Sequence, residues 1–281
     1  MGSAETIEQQ QQLEQLQTWE RSFYQSGGGH VYVDFVVFGE IEQPLTVSQS
    51  KYRIGGVPNG VDVTVIDRED DEEERILHYF ETFCGDDLNK EDPPLYHAVR
   101  LAQTAVRVHG MVRDPQTLDY LRDIIGIVAC IAESGGQAVL DVNSRKWFRP
   151  ERWRALVFNA NQVVPGQHVT AFVTQQGRGP LSWVRTRGMV TFGRPDVSVR
   201  DVPPSAVDQV LELCGRFTKL FAMGAVPTDG QEVKMHAFPT PLRCRLIPPT
   251  GDEDFTNSHL EIKFPLSTGS TGPISRRQPA R

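Results

Sequence analysis

Apolar and polar residues alternate along His30–Phe38, HVYVDFVVF. Val31, Val33, Phe35 and Val37 share one face and His30, Tyr32 and Asp34 the other, which predicts a half-buried strand. Val61–Ile66 repeats the alternation after Ile54-Gly55-Gly56 and Pro58-Asn59-Gly60, turn chemistry in which glycine and asparagine accept positive φ. Together they predict an N-terminal antiparallel meander. Ile76–Phe83 fits a short helix, broken by Pro93-Pro94. In Tyr96–Val112 the first half can wind, whereas Val106 and Val108 predict a strand for the second. Asp114-Pro115 reads as the N-cap and first position of a helix with Leu118, Leu121, Ile125 and Val128 on one face. From Ile124 to Ala132 it is apolar nearly all round, which predicts deep burial. Gly135-Gly136 is the expected left-handed stop, and Gln137–Val142 returns as a strand.

Pro150-Glu151 opens a short helix carrying Trp153, Leu156 and Val157. His168–Thr174 and Ser182–Phe192 read as strands joined across Gly177-Arg178-Gly179, a hairpin connection. Ser205 and Asp208 resemble a capping box for a helix with Val207, Val210, Leu211, Cys214, Phe217 and Phe221 on one face, ending at Gly224. Glu232–Phe238 and His259–Phe264 are the last expected strands. This order predicts an α+β fold: a mixed, largely antiparallel sheet with two long helices packed on one face, a split β-α-β connection being one form it can take. Residues 1–28 read as a flexible polar N-terminal segment, Gln/Glu-rich and finishing in Gly27-Gly28-Gly29, in which Leu13, Leu16 and Trp19 recur at helical spacing. Residues 29–265 form a single globular domain with a β-rich part over 29–92, and 266–281 read as a disordered tail.

Charge divides the chain. Asp67–Asp92 holds twelve acidic residues against Arg68, Arg75 and Lys90, a local −9 that leaves the rest at +2 within a total of −7. An acidic run of this kind is ordinarily a solvated loop; the sharper expectation is that it lies over an arginine-rich face and competes with an anionic partner. Four scattered cysteines without a C-x-x-C pair, no apolar run beyond nine residues and no basic-then-apolar N-terminus point to a cytoplasmic protein without disulfide or zinc, with no membrane span and no secretory signal.

Little in the chain announces chemistry. The glycine run at 27–29 precedes a strand, whereas a phosphate-gripping loop follows one, and no Walker motif or nucleophile elbow exists. The seven histidines never take an H-x-x-x-H spacing, and Asp252, Glu253, Asp254 and Asn257 lack the calcium-loop pattern, so neither metal nor cofactor is expected. The segment from Trp183 to Asp196 stands out. In an extended chain Trp183, Arg185 and Arg187 share one face, opposite Val184 and Thr186, and the two arginines form a clamp for a carboxylate or phosphate. Arg194 and Asp196 either join that face or pair with each other as a structural salt bridge. Arg145, Lys146, Trp147, Phe148, Arg149, Arg152, Trp153 and Arg154 mix cations with aromatics, yet a pI near 5.5 and the acidic run argue against nucleic acid.

The runs from His97 (HAVRLAQTAVRVHGMVRDPQTLDYLRDIIG), Glu133 (ESGGQAVLD), Lys146 (KWFRPERW), Val184 (VRTRGMVTFGRPDVSV) and Asp252 (DEDFTNSHLEI) resemble, in order and spacing over residues 95–264, a bacterial family catalogued as a domain of unknown function. The resemblance implies a bacterial, cytoplasmic α+β protein and brings no activity, cofactor or catalytic residue. The absence of an assembled catalytic constellation favours a non-enzymatic binding or interaction module whose partner is a protein or a small anion. The alternative is an enzyme acting on an anionic small molecule held by Arg185, Arg187 and Arg194, with Asp196, His97 or His109 handling protons.

Overall fold

The computed structural model describes residues 16–68, 71–234, 241–250 and 256–264, and within helices leaves aside the side chains of 71–74, 83 and 84. The fold is α+β, but the strands divide between two sheets instead of forming one. β1 (Val31–Gly39), β2 (Val61–Asp67), β3 (Thr104–Val112), β4 (Gly136–Asp141) and β5 (Lys146–Phe148) make an antiparallel sheet in the order β2-β3-β1-β4-β5. β6 (Thr170–Gln175), β7 (Ser182–Arg187), β8 (Asp196–Val202), β9 (Glu232–Val233), β10 (Leu242–Ile247) and β11 (His259–Lys263) make the second, β6-β7-β8-β11-β10-β9, in which only β8 and β11 run parallel. The second sheet includes β10, which the hydrophobic pattern did not predict.

One continuous core draws on both sheets. Val31, Val33, Phe35 and Val37 of β1 meet the helix Asp119–Glu133 (here α4), while Val184, Val199 and Ile262 of the second sheet meet the helix Val207–Ala222 (α6). The two long apolar helices therefore cover different sheets, and the expectation that they share one face is not met. Each sheet turns one apolar face inward and needs its own helix to close it. Between residues 124 and 132 every side of α4 is buried, because it is enclosed by β1, β3, β4 and the short helix α1 (Gln49–Tyr52).

Several local signals resolve differently once packing is included. From residue 71 onward the acidic run is not a loop but a helix, α2 (Asp71–Glu91), the longest among the described residues. Leu77, Phe80 and Leu88 drop from it onto the outer face of the first sheet, where they join Val36, Phe38, Ile66 and Leu140. Pro93-Pro94 opens a further helix, α3 (Pro93–Leu101), with Asp92 accepting from the Leu95 amide, since proline suits a first turn that needs no amide donor. Asp114 does not cap α4, which starts five residues later with no side-chain cap. Likewise Ser205 lies in a 3-10 turn and caps nothing. Met189–Phe192 is a 3-10 turn between two left-handed glycines, so the strand predicted through Phe192 ends at Arg187. The short helix α5 (Pro150–Trp153) runs on as a π turn over Arg154–Phe158; it buries Trp153 and Val157 and leaves Leu156 exposed.

The readings for residues 1–15, 252–254 and 266–281 lie outside the described residues. Trp19, within the segment 1–28 read as flexible, is 6% exposed and belongs to the core. Among the described residues no helix is long and apolar enough to cross a membrane, and no group of three or more His, Cys, Asp or Glu is placed to hold a metal ion.

Candidate anion-binding cleft

α2 and α3 cover only part of the outer face of the first sheet. Register places Tyr32 opposite Met111 and Asp34 opposite His109 on the uncovered part, and Arg107, one step along, reaches diagonally back to Asp34. Tyr32, Asp34, Arg107 and Met111 floor a cleft of about 890 Å³. Arg75, Ile76, Tyr79 and Phe80 of α2 form one wall, and Val142, Asn143, Arg187, Val190, Pro249 and Thr256 the other.

The floor is tightly organised. Arg107 donates to both oxygens of Asp34 at 2.8 Å, Nε to Oδ1 and Nη2 to Oδ2, and its guanidinium lies 5.3 Å from the Phe80 ring centre. That paired geometry raises the Arg107 pKa, chiefly through the hydrogen bond to Asp34. Burial, followed by the Asp34 charge, raises the Tyr32 phenol as well, so it stays a hydroxyl at neutral pH. Asn143 clamps the floor to the far wall, donating to the Tyr32 carbonyl at 2.8 Å and to Thr191 Oγ1 at 3.0 Å. Three arginines face one aspartate among the charged lining groups. The rim is apolar: Met111 is 56% and Tyr79 54% exposed. Such a cleft can hold an anionic head near guanidinium groups while an apolar body lies on Tyr79, Phe80 and Met111.

Of the residues singled out in sequence, Arg187 alone lines this cleft. β7 does place Trp183, Arg185 and Arg187 together on a half-buried face, with Val184 and Thr186 buried opposite. Trp183 donates from Nε1 to Ser198 Oγ at 2.9 Å, and two guanidinium groups lie over its ring, Arg185 at 4.2 Å and Arg200 at 4.1 Å. Arg194 does not join that face. Asp196, two residues before Ser198 in β8, lies near enough to Arg187 to feel its charge but is buried, and Arg194 and Asp196 do not form the salt bridge that was the alternative.

Arg194 is 2% exposed and donates to Asp114 Oδ1 at 2.8 Å and to the carbonyls of Gln25, Gly193, Gly224 and Ala225. Asp196 accepts from Thr186 Oγ1, the Met189 amide and Asn257 Nδ2, and burial raises its pKa to about 6. The bend between Gly188 and Asp196 is thus fixed from inside by Asp196 and from outside by Arg194. Of the two histidines considered for proton transfer, His97 is exposed on α3 and His109 half-buried on β3; His30, and neither of these, lines the cleft. Asn257, weighed as a calcium ligand, donates its amide to Asp196 and to the Arg194 carbonyl.

The basic patch at 145–152 borders a neighbouring cleft of about 520 Å³, opposite Asp87, Glu91 and Asp92 at the end of α2. Arg149 makes a fork to Asp92 at 2.6 and 2.9 Å. Trp153 is instead a fully buried core residue. Tyr32, Asp34 and Arg107 were readable as the polar positions of two predicted strands. Their meeting depends on the pairing of β1 with β3, which alternation within each strand does not specify. No protein-family model, no curated protein and no solved structure matches this chain.

Proposed function

We propose that this protein is a binding module that takes a small anion with an apolar or aromatic body into the cleft between the first sheet, α2 and the end of β7. The observation that carries the reading is the cleft itself, where Arg75, Arg107 and Arg187 line the same space as Tyr79, Phe80 and Met111. Arg107 is held by Asp34 and serves as a rigid, partly neutralised floor. Arg187 and Arg75 supply the excess charge, and the rim aromatic completes the grip on the ligand body. The groups capable of proton transfer on the floor, Tyr32 and Asp34, are committed to the same paired arrangement, which suits binding better than turnover.

The test is a fluorescence titration of the full chain with anilinonaphthalene sulfonate, an aromatic anion of the stated kind. We expect saturable one-to-one binding, weakened by roughly tenfold in Arg187→Met, the loss of one charge-assisted hydrogen bond. Tyr79→Ala, at an exposed position whose loss cannot disturb the core, is expected to weaken it as well. Unchanged affinity in both variants would refute the reading.

A further inference from the structure

The helix α6 packs on one face of the second sheet; the other is bordered by α2 at β6, where Asp87 and Glu91 share a cleft with Thr170 and Phe172. Cross-strand register assembles that outer face from distant parts of the chain. Arg185 lies opposite Ser198, Ser198 beside Glu261, and Glu261 opposite Arg245; one step along, Arg200 lies beside Lys263. Arg200, Arg245 and Lys263 are exposed, and the Arg243 side chain is 82% exposed at the far edge, with Glu232 at 3.4 Å. The face is therefore strongly basic in a protein whose net charge is −7. The acidic residues that produce that total sit mainly on α2, which is packed on the other sheet. The acidic end of α2 borders this face only at β6, and the cations of β8, β10 and β11 lie beyond it.

The cations are also ordered in advance. Arg185 and Arg200 both lie over the Trp183 ring, and Trp183 is pinned through Ser198. A stacked guanidinium loses less freedom when it meets a phosphate, and its outer plane can receive a base. A membrane surface would call for protruding apolar anchors as well as charge, and the tryptophan of this face is half-buried beneath two guanidinium groups.

We propose that the outer face of the second sheet binds single-stranded nucleic acid, with phosphates on the exposed cations and a base on the Arg200 plane. The strand runs from β7 across β8 and β11 to β10, away from the acidic α2. This surface adjoins the cleft at Arg187 but does not depend on the proposed ligand there.

The experiment is fluorescence anisotropy of the full chain with a labelled oligouridylate of about sixteen nucleotides. Binding that rests on about four phosphate contacts loses roughly 50-fold in affinity between about 50 and about 200 mM salt. Arg200→Glu/Arg245→Glu, at two exposed positions, is expected to weaken it by at least about tenfold, whereas Tyr79→Ala in the cleft leaves it unchanged. Circular dichroism of each variant confirms that it is folded. The proposal is overturned if the oligonucleotide does not bind at low salt, or if the double variant binds as tightly as the parent. It is equally overturned if polyglutamate of the same charge competes as well as unlabelled oligouridylate, which would make the surface a site for acidic protein. Sedimentation with phosphatidylserine vesicles in the absence of oligonucleotide binding would assign it to membranes instead.

Discussion

Asp114 was expected to cap a helix, and the structure uses it to join three segments, which makes its removal informative. Its carboxylate receives Arg194 Nη1 at 2.8 Å, Arg21 Nη1 at 3.4 Å and the Gly28 amide at 3.1 Å. Both arginine side chains are fully buried, and burial, with a contribution from Arg194, already lowers the Arg21 pKa. Asp114→Ala leaves two buried guanidinium groups without their counter-charge, a loss of about 3–5 kcal/mol for comparable buried pairs. The lower end applies here, because Arg21 keeps the carbonyls of Pro115, Phe192 and Ala222 and Arg194 keeps four others. A loss of about 3 kcal/mol corresponds to roughly 6–12 °C in Tm for a chain somewhat larger than about 200 residues. Urea unfolding gives the free energy directly, and Arg194→Met in both backgrounds gives the coupling. We expect Arg194→Met to cost much less once Asp114 is gone. A loss below about 1 kcal/mol for Asp114→Ala, or equal Arg194 effects in the two backgrounds, would show that the carbonyls alone hold the arginines.

Two further outcomes follow from buried groups. Asp196 has its pKa raised from 3.8 to about 6 by burial, so the folded state holds a proton that the unfolded state releases. Its stabilising effect is complete below about pH 4 and is lost as pH rises toward about 6, an effect of about 3 kcal/mol. Asp196→Asn should flatten stability over that window and be the more stable protein at pH 8; urea midpoints that keep the parent's slope would exclude this assignment. Gly126 lies where α4 abuts the α1 segment, and a Cβ there would run into the Tyr52 carbonyl oxygen and Ile54 Cγ2. Gly126→Ala, favourable by helix propensity, should nevertheless lower stability by about 1–3 kcal/mol, and a higher thermal midpoint would mean that the contact relaxes freely.

The sequence by itself determined the strands β1 and β2, the buried character of α4, the amphipathic α6, and the shared face of Trp183, Arg185 and Arg187. All of these rest on periodicities of two or 3.6 residues, which are local and hold wherever the element docks. Tertiary structure decided the rest. Which sheet a strand enters depends on partners far along the chain, so the division into two sheets and the separate helix for each could not be read from element order. Asp114 had the local chemistry of a cap, but two buried arginines from residues 21 and 194 offered it a stronger electrostatic partner. The acidic segment had the composition of a solvated loop, and Leu77, Phe80 and Leu88 on one side were enough to fold it onto the sheet as a helix. The cleft belongs to the same class: Tyr32, Asp34, Arg107 and Arg187 come from three strands in two sheets, and only pairing register and packing, which act between segments, bring them to one place.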